Sequence, residues 1–315
     1  MTDTTFITAA SWEPRFLLGA QRVFSEQHFS NVICFWFEEF ADRTKENREL
    51  FRGLTEHVHL RDVPLPMYDS KDVHGSRNTP AYAIVWRRVR ELFDELNGRV
   101  GSFVLDISTM PRELLWIVLD LLCDSNVSGR IVYHRAERHG EWCGAEPERP
   151  HIVPKLGGLP VLDRPTTLLI VSGYDGDRSE QFIASYEPQQ SLILYQEFPD
   201  GVNAENREKN EGRHKERFGN RGANIALSGI NCYEADWGFQ VILDAATELT
   251  KGANLILASL GPKTSAVSLY RVHRRLDESS LVYAPCRSYN ESYSTGIGES
   301  LWLDWVLPSV LSGEK

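Results

Sequence analysis

Two loops in the chain place a proline and then a cation where a hydrophobic run gives way to a helical pattern. One reads D-I-S-T-M-P-R and ends in Arg112, and the other reads S-L-G-P-K-T and contains Gly261, Lys263 and Thr264. The N–H groups and the dipole at a helix N-terminus attract phosphate. Gly261 lets the backbone turn closely, and the side chains of Arg112, Lys263 and Thr264 can reach an anion there. We therefore expect an anionic, nucleotide-like ligand. The alternative is an ordinary helix start, with serine as cap and proline at the first helical position.

A second pair of loops follows the first hydrophobic run of each half of the chain. In the second half the loop G-Y-D-G-D-R begins with Gly173 and ends in Arg178, and its counterpart W-E-P-R ends in Arg15. Neither loop has the G-x-G-x-x-G fingerprint or a Walker sequence, so dinucleotide or ATP binding of the usual kind is weakly supported. The glycine and the arginines still predict anion contacts. Alternatively, Arg15 pairs with Glu13 and Arg178 with Asp175.

A third candidate is the run Y-N-E-S-Y-S-T-G-I-G, which follows the last predicted strand of the second half. Its tyrosines offer faces for a base, and Ser294 and Thr295 offer hydroxyls for phosphates; a plain glycine- and serine-rich loop is the alternative. The nine histidines show neither H-x-E nor H-E-x-x-H spacing, and there is no G-x-S-x-G elbow. We predict no metal and no cofactor, and the motifs identify no catalytic residue.

Composition limits the class of protein. A chain of 315 residues with 42% hydrophobic and 25% charged residues predicts two globular domains. Its net charge of −10 disfavours long nucleic acid but permits a small anionic ligand. Five cysteines without a C-x-x-C pair disfavour disulfides and structural zinc. With no signal-peptide pattern and no membrane-length apolar run, we expect a cytoplasmic protein.

The elements that must position these loops alternate between strand and helix patterns, which predicts parallel sheets with crossover helices. The predicted strands are 5–9, 31–37, 102–107, 130–134, 167–172, 191–196, 254–259 and 280–284. The predicted helices are 13–27, 80–96, 111–124, 178–186, 235–251 and 262–276. The fold class expected is α/β, with two tandem Rossmann-like domains at 1–150 and 166–315 and a linker at 151–165.

The two halves resemble each other at four corresponding places, in the same order along the chain. Each has an arginine-containing loop after its first strand, and E-F followed by E-N-R-E after its second. Each then has the proline–cation loop, and Val-Tyr in the next strand. Four ordered matches predict an internal duplication.

The proline–cation loops resemble the strand–(Asn/Asp)-x-(Ser/Thr)-x-x-(Thr/Pro)-(Lys/Arg)–helix signature of CARF domains. These are Rossmann-like sensors of prokaryotic antiviral defence, and the SAVED domain is similar to two such units in one chain. Asp106 and Met110 stand where Asn and Gly are commoner in the family. The ligand-binding positions that the resemblance implies are Ser11, Arg15, Ser108, Thr109, Arg112, Ser172, Gly173, Arg178, Ser259, Gly261, Lys263 and Thr264.

We therefore expect a sensor of a nucleotide signal, such as a cyclic oligonucleotide, that acts on a separate effector protein. No nuclease, protease or membrane effector segment is recognisable beside the two halves, and a homo-oligomer is compatible with the sequence. One alternative is an enzyme that breaks down a nucleotide, with Lys263 and Arg112 stabilising phosphoryl charge. The other is a regulatory scaffold whose loops no longer bind ligand.

Overall fold

The computed structural model describes residues 4–71, 78–96, 101–140, 143–173, 176–197, 204–219 and 224–306. The strands are Thr4–Ala9 (β1), Asn31–Phe37 (β2), His59–Leu65 (β3), Ser70–Lys71 (β4), Asn78–Thr79 (β5), Ser102–Asp106 (β6), Gly129–His134 (β7), Arg138–His139 (β8), Gly144–Pro147 (β9), His151–Ile152 (β10), Thr166–Ser172 (β11), Gln190–Gln196 (β12), Ile225–Ile230 (β13), Asn254–Ser259 (β14), Ser280–Tyr283 (β15), Cys286–Tyr289 (β16), Ser294–Thr295 (β17) and Ser300–Trp305 (β18). The helices are Pro14–Glu26 (α1), Ala41–Leu54 (α2), Ala81–Glu95 (α3), Arg112–Asp124 (α4), Gly176–Tyr186 (α5), Ala204–Phe218 (α6), Phe239–Leu249 (α7) and Lys263–His273 (α8), with a short 3₁₀ turn at Glu38–Phe40. None of the described helices is long and apolar enough to cross a membrane.

Two sheets of six strands organise the chain, and they have the same strand order. The first runs β18-β7-β6-β1-β2-β3, and the second runs β10-β15-β14-β11-β12-β13. In each sheet five strands are parallel, and one antiparallel strand lies beside the fifth. When only the five parallel strands of each sheet are numbered in chain order, both sheets follow the Rossmann order 3-2-1-4-5. The α/β prediction is confirmed, and the shared order is what an internal duplication would produce.

Burial on both faces explains why the central strands read as continuous hydrophobic runs. In the first unit, Phe6 of β1 and Val32 of β2 pack with Phe16 of α1 and Phe51 of α2. In the second unit an equivalent cluster joins strand and helix residues such as Ile170 and Phe182. A parallel sheet covered by helices on both faces has this pattern.

The helix after the fourth strand is deeply buried in both units. In α4 every residue from Leu114 to Leu122 is buried, and in α8 every residue from Thr264 to Leu269 is buried. A helix that is buried all round is held on every side. The proline–cation loops therefore lead into helices that are buried along most of their length.

The two compact units do not coincide with the expected domains 1–150 and 166–315. One unit comprises the residues up to His139 together with those from Ser294 onward, and the other is Gly140–Tyr293. The expected linker contains β10, which pairs with β15, and the C-terminal strand β18 pairs with β7 of the first sheet. After its fifth strand each half therefore continues into the other unit, where it supplies the sixth strand.

Candidate functional site

The two proline–cation loops adopt the same geometry at the carboxyl ends of β6 and β14. Pro111 and Pro262 are the N-cap residues, with φ of −58° in both and ψ of 144° and 155°. The helices begin one residue later, at Arg112 and Lys263, so the expectation that proline occupies the first helical position is wrong. No side-chain capping hydrogen bond is made at either start. The serine-cap alternative is therefore excluded for both loops.

A cation at this position opposes the helix dipole. The N-terminal end of a helix carries partial positive charge, so an acidic residue there is favourable and a cation costs about 0.3–1 kcal/mol. The first turn of α4 contains Glu113, which offsets Arg112, whereas that of α8 contains no acidic residue. Both cations are partly exposed. The start of α8 therefore has more to gain from a bound anion than the start of α4.

Serine and threonine side chains fix the first-unit loop from inside. Ser108 is fully buried, donates to a carboxylate oxygen of Asp106 (2.6 Å) and accepts from the backbone N–H of His134 (2.8 Å). Thr109 donates to the Ala9 carbonyl at 2.7 Å and is also buried. Both hydroxyls join strand ends to the loop and thereby hold the backbone that leads to α4.

Serine hydroxyls also hold the second-unit loop, but the hydroxyl of Thr264 does not share in these hydrogen bonds. Ser259 and Ser265 bond to each other through their hydroxyls at 3.0 Å, and Ser265 is within 2.7 Å of the Pro262 carbonyl. Thr264 is fully buried, and its hydroxyl has no hydrogen-bond partner within the described ranges. A buried hydroxyl without a partner costs about 1–3 kcal/mol. Such groups occur at functional sites, and this one is adjacent to Lys263.

Two glycines bring the first-strand and fourth-strand loops of the second unit together. A Cβ placed on Gly173 would lie 3.0 Å from the Leu260 carbonyl oxygen, and the N–H groups of Leu260 and Gly261 both donate to the Val171 carbonyl at 2.8 Å. The glycines therefore allow a close backbone approach, as predicted for Gly261. Asp175, the alternative partner of Arg178, lies outside the described residues.

The arginines of the first-strand loops lie inside their units. Arg15 is 4% exposed and donates to the His134 carbonyl at 3.1 Å, while Arg178 is 6% exposed and donates to the Ala284 carbonyl at 3.5 Å. Each arginine thus ties the first helix to the end of the fifth strand. Arg15 also forms an ion pair with Glu13 at 2.5 Å, as the alternative interpretation expected. Burial disfavours its charge, but Glu13 and Tyr133 together raise the pKa of Arg15.

The remaining predicted residues surround Glu13. Ser11 is buried, and its hydroxyl accepts from the Glu13 N–H at 3.2 Å. Ser294 is 1% exposed and donates to the Glu13 carboxylate, whereas Thr295 is exposed. Because Ser294 and Thr295 form β17, the predicted glycine- and serine-rich run includes a short strand of the first unit.

Two buried histidines beside these loops could not be found from motifs. His214 Nδ1 lies 2.8 Å from the Asn210 carbonyl, which makes Nδ1 the donor and leaves Nε2 to accept from the Ser172 hydroxyl at 2.9 Å. In the first unit, His134 Nδ1 lies 2.8 Å from the Ser300 hydroxyl and Nε2 lies 3.8 Å from the Asp106 carboxylate. Burial lowers the pKa of both histidines.

The Ser172–His214 pair has the hydrogen bond of a nucleophile and its base. Ser172 is 0% exposed and His214 is 2% exposed, so in this structure the pair joins β11 to α6 inside the unit. The only sequence signal is indirect, because His214 lies one helical turn from Asn210 and Phe218 on the buried side of α6. Within the described ranges, no three His, Cys, Asp or Glu side chains are grouped to hold a metal ion.

Comparisons with known proteins support the fold. No protein-family model matches the sequence, and no curated protein matches it either. Among solved structures, the chain is similar to a type III CRISPR defence DNA nuclease activated by cyclic oligoadenylate. The TM-score is 0.53 and the identity 8%, and the match covers 85% of this chain but only 64% of the nuclease.

Two further structures are similar over most of their length but superpose poorly. They are the cytoplasmic domain of a prokaryotic cation chloride cotransporter (TM-score 0.26, 10% identity, 92% of this chain and 99% of that one) and a universal stress protein from Archaeoglobus fulgidus (0.25, 11%, 91% and 97%). Because both TM-scores are below 0.5, the structural comparison depends on the nuclease. It establishes a tandem Rossmann-like α/β fold for this chain.

Proposed function

We propose that the protein binds an anionic nucleotide signal at the starts of α4 and α8. The observation that carries the proposal is the cation that begins each of these helices without a capping side chain. Physical chemistry favours an anion at a helix N-terminus. A bound phosphate would contact Arg112 or Lys263 and accept hydrogen bonds from the first turn.

In this proposal the residues have two roles. Lys263, Thr264 and Gly261 contact the ligand in the second unit, and Arg112 does so in the first. The buried hydroxyls, the arginines and Gly173 hold the loops in place. These supporting positions are Ser11, Arg15, Ser108, Thr109, Ser172, Gly173, Arg178, Ser259 and Ser294.

The two units repeat the same kind of helix start, each led by a cation, and each start suits a phosphate group. The nuclease of similar fold is activated by cyclic oligoadenylate, and the loop signature resembles that of CARF sensors. A cyclic oligoadenylate is therefore the first ligand to test. The protein would then act in prokaryotic defence by signalling to a separate effector protein in the cytoplasm.

The test compares Lys263→Ala with Arg112→Ala by calorimetry, using cyclic oligoadenylates of several ring sizes. Losing a charge-assisted contact costs about 1.5–3 kcal/mol, or roughly tenfold to a hundredfold in affinity. We expect the larger loss for Lys263→Ala, because Glu113 already offsets Arg112 in α4. Lys251→Ala is the control, since Lys251 is an exposed lysine of the same unit paired with Glu248. Unchanged affinity in both loop variants would remove these loops from the site.

A second candidate function is cleavage of the bound nucleotide. The hydrogen bond between Ser172 and His214 at 2.9 Å favours it, because it is the arrangement of a nucleophile and its base. Separating the products after incubation with cyclic and linear oligoadenylates distinguishes the functions. Multiple-turnover cleavage that is lost in both Lys263→Ala and Ser172→Ala would establish the enzyme. A purified protein that retains no nucleotide and binds none would support the scaffold alternative.

A further inference from the structure

Three aromatic side chains follow three neighbouring strands of the first sheet. Trp12 comes after β1, Phe40 after β2 and Tyr68 after β3, and these strands are parallel neighbours. Their carboxyl ends meet at one edge of the sheet, where open α/β sheets bind ligands. The rings meet edge to face: the centroids of Trp12 and Phe40 are 5.2 Å apart at an interplanar angle of 72°, and those of Phe40 and Tyr68 are 6.4 Å apart at 77°. Trp12, Phe40 and Tyr68 are called the aromatic platform below.

Polar contacts hold the loops that carry the platform. Asn47 donates to the Ser11 carbonyl at 2.8 Å, next to Trp12. The Glu39 carboxylate accepts from the N–H groups of Met67 and Tyr68 at 2.8–3.1 Å. Phe40 is 8% exposed, while Trp12 and Tyr68 are both partly exposed. The platform is therefore anchored by its central ring and presents its outer rings at the surface.

An exposed arginine lies beside the platform. The Arg43 guanidinium carbon is 5.8 Å from the Trp12 centroid and 5.7 Å from the Phe40 centroid. Elsewhere in the unit, Arg48 stacks on Trp36 at 4.0 Å, which is direct contact. The Arg43 distances to the two rings are longer than this, and the Arg43 side chain is exposed.

The platform also belongs to the same end of the sheet as the loop before α4. Thr109 binds the Ala9 carbonyl, three residues before Trp12. A partly exposed tryptophan, an exposed arginine beside it and a nearby helix start that favours phosphate suit a nucleotide. We propose that Trp12 of the aromatic platform stacks on a nucleobase of the ligand while Arg43 covers the other face of the base. This inference rests on the proposed function, because it assigns the base of the same nucleotide.

The test uses a cyclic oligoadenylate that carries one 2-aminopurine, whose fluorescence falls when it stacks. We expect quenching on binding to the unaltered protein. In Trp12→Leu the quenching should be lost and the affinity should fall about tenfold. Arg43→Ala, which changes an exposed side chain, should weaken binding several-fold. Trp302→Leu is the matched control, since Trp302 lies on β18 and stacks with Arg130 at 4.5 Å.

The outcomes separate this inference from the proposed function. Binding with unchanged quenching and affinity in Trp12→Leu and Arg43→Ala would overturn the aromatic platform and leave the nucleotide sensor intact. No binding by the unaltered protein would overturn both. Loss of binding in Trp302→Leu to the same degree would show a general effect on the fold and would also contradict the platform. Thermal unfolding of each variant confirms that the affinities refer to folded protein.

Discussion

Acid should destabilise the second unit through one histidine at the end of α8. His273 is the last residue of α8, is 8% exposed, and lies with Nδ1 3.1 Å from the Ser279 hydroxyl. Burial, assisted by the charge of Arg274, lowers the pKa of His273 from 6.5 to about 4. A helix C-terminus favours a cation by about 0.3–1 kcal/mol. The lowered pKa shows that burial outweighs this effect.

The magnitude follows from the two pKa values. The unfolded chain binds a proton at pH 6.5 and the folded protein at about pH 4, so the unfolded state holds more protons in between. The stability that neutral His273 contributes is fully present above pH 6.5 and is lost as the pH falls toward 4. The two pKa values differ by about 2.5, which corresponds to roughly 3 kcal/mol of unfolding free energy. About 2 kcal/mol of this is lost by pH 5. This is a large part of the 5–15 kcal/mol typical of a domain.

The assay is urea unfolding followed by circular dichroism at pH 7 and pH 5. His273→Gln removes the titrating group while keeping a polar partner for Ser279. The other histidines are present in both proteins. Any difference between the two proteins in how the unfolding free energy depends on pH therefore belongs to His273. We expect the unaltered protein to lose about 2 kcal/mol more than the variant between the two pH values. Equal losses, or an imidazole resonance that titrates near pH 6.5, would refute the reasoning.

Two further predictions concern Gly173 and His214 of the second unit. Gly173→Ala should destabilise the protein by about 1–3 kcal/mol, because the new Cβ would lie 3.0 Å from the Leu260 carbonyl oxygen. Gly212→Ala is the control: nothing lies within 4 Å of a Cβ there, so the helix should gain about 0.5–1 kcal/mol, and chemical denaturation measures both. His214→Phe should cost about 1–3 kcal/mol, because the Ser172 hydroxyl loses its 2.9 Å acceptor and keeps only the longer contacts to Ser179 at 3.3 Å and Gly173 at 3.4 Å. If Ser172→Ala added in the same variant restored no stability, the hydrogen bond would not be the cause.

Much of the fold could be predicted from the sequence because its central strands are buried on both faces. Eight of the parallel strands read as hydrophobic runs, and six of the helices as periodic patterns. The strands β3 and β13 lie at sheet edges with few buried residues, so their patterns are weak. The helices α2 and α6 are not predicted by these patterns, because α2 buries only Thr44 and Phe51 and two buried positions of α6 are the polar Asn210 and His214.

The candidate site was predicted in part for a similar reason. The proline–cation loops are contiguous in sequence, so their position at helix starts could be predicted. The burial of Arg15 and Arg178 depends on carbonyl groups more than a hundred residues away. The aromatic platform is assembled from three separate loops, and no local pattern connects Trp12 with Tyr68. Contacts between distant segments are therefore what the sequence alone could not supply.

The crossing of each half into the other unit affects the order in which the protein can be completed during synthesis. The strand β18 pairs with β7, yet the whole second unit is translated between them. At about 5–20 residues per second, the outer edge of β7 waits roughly 10–30 s for its partner. An unpaired strand edge is a template for association with other chains. The edge of β7 is thus covered only after the ribosome has delivered β18, so this step in the folding of the first unit is a long-range pairing.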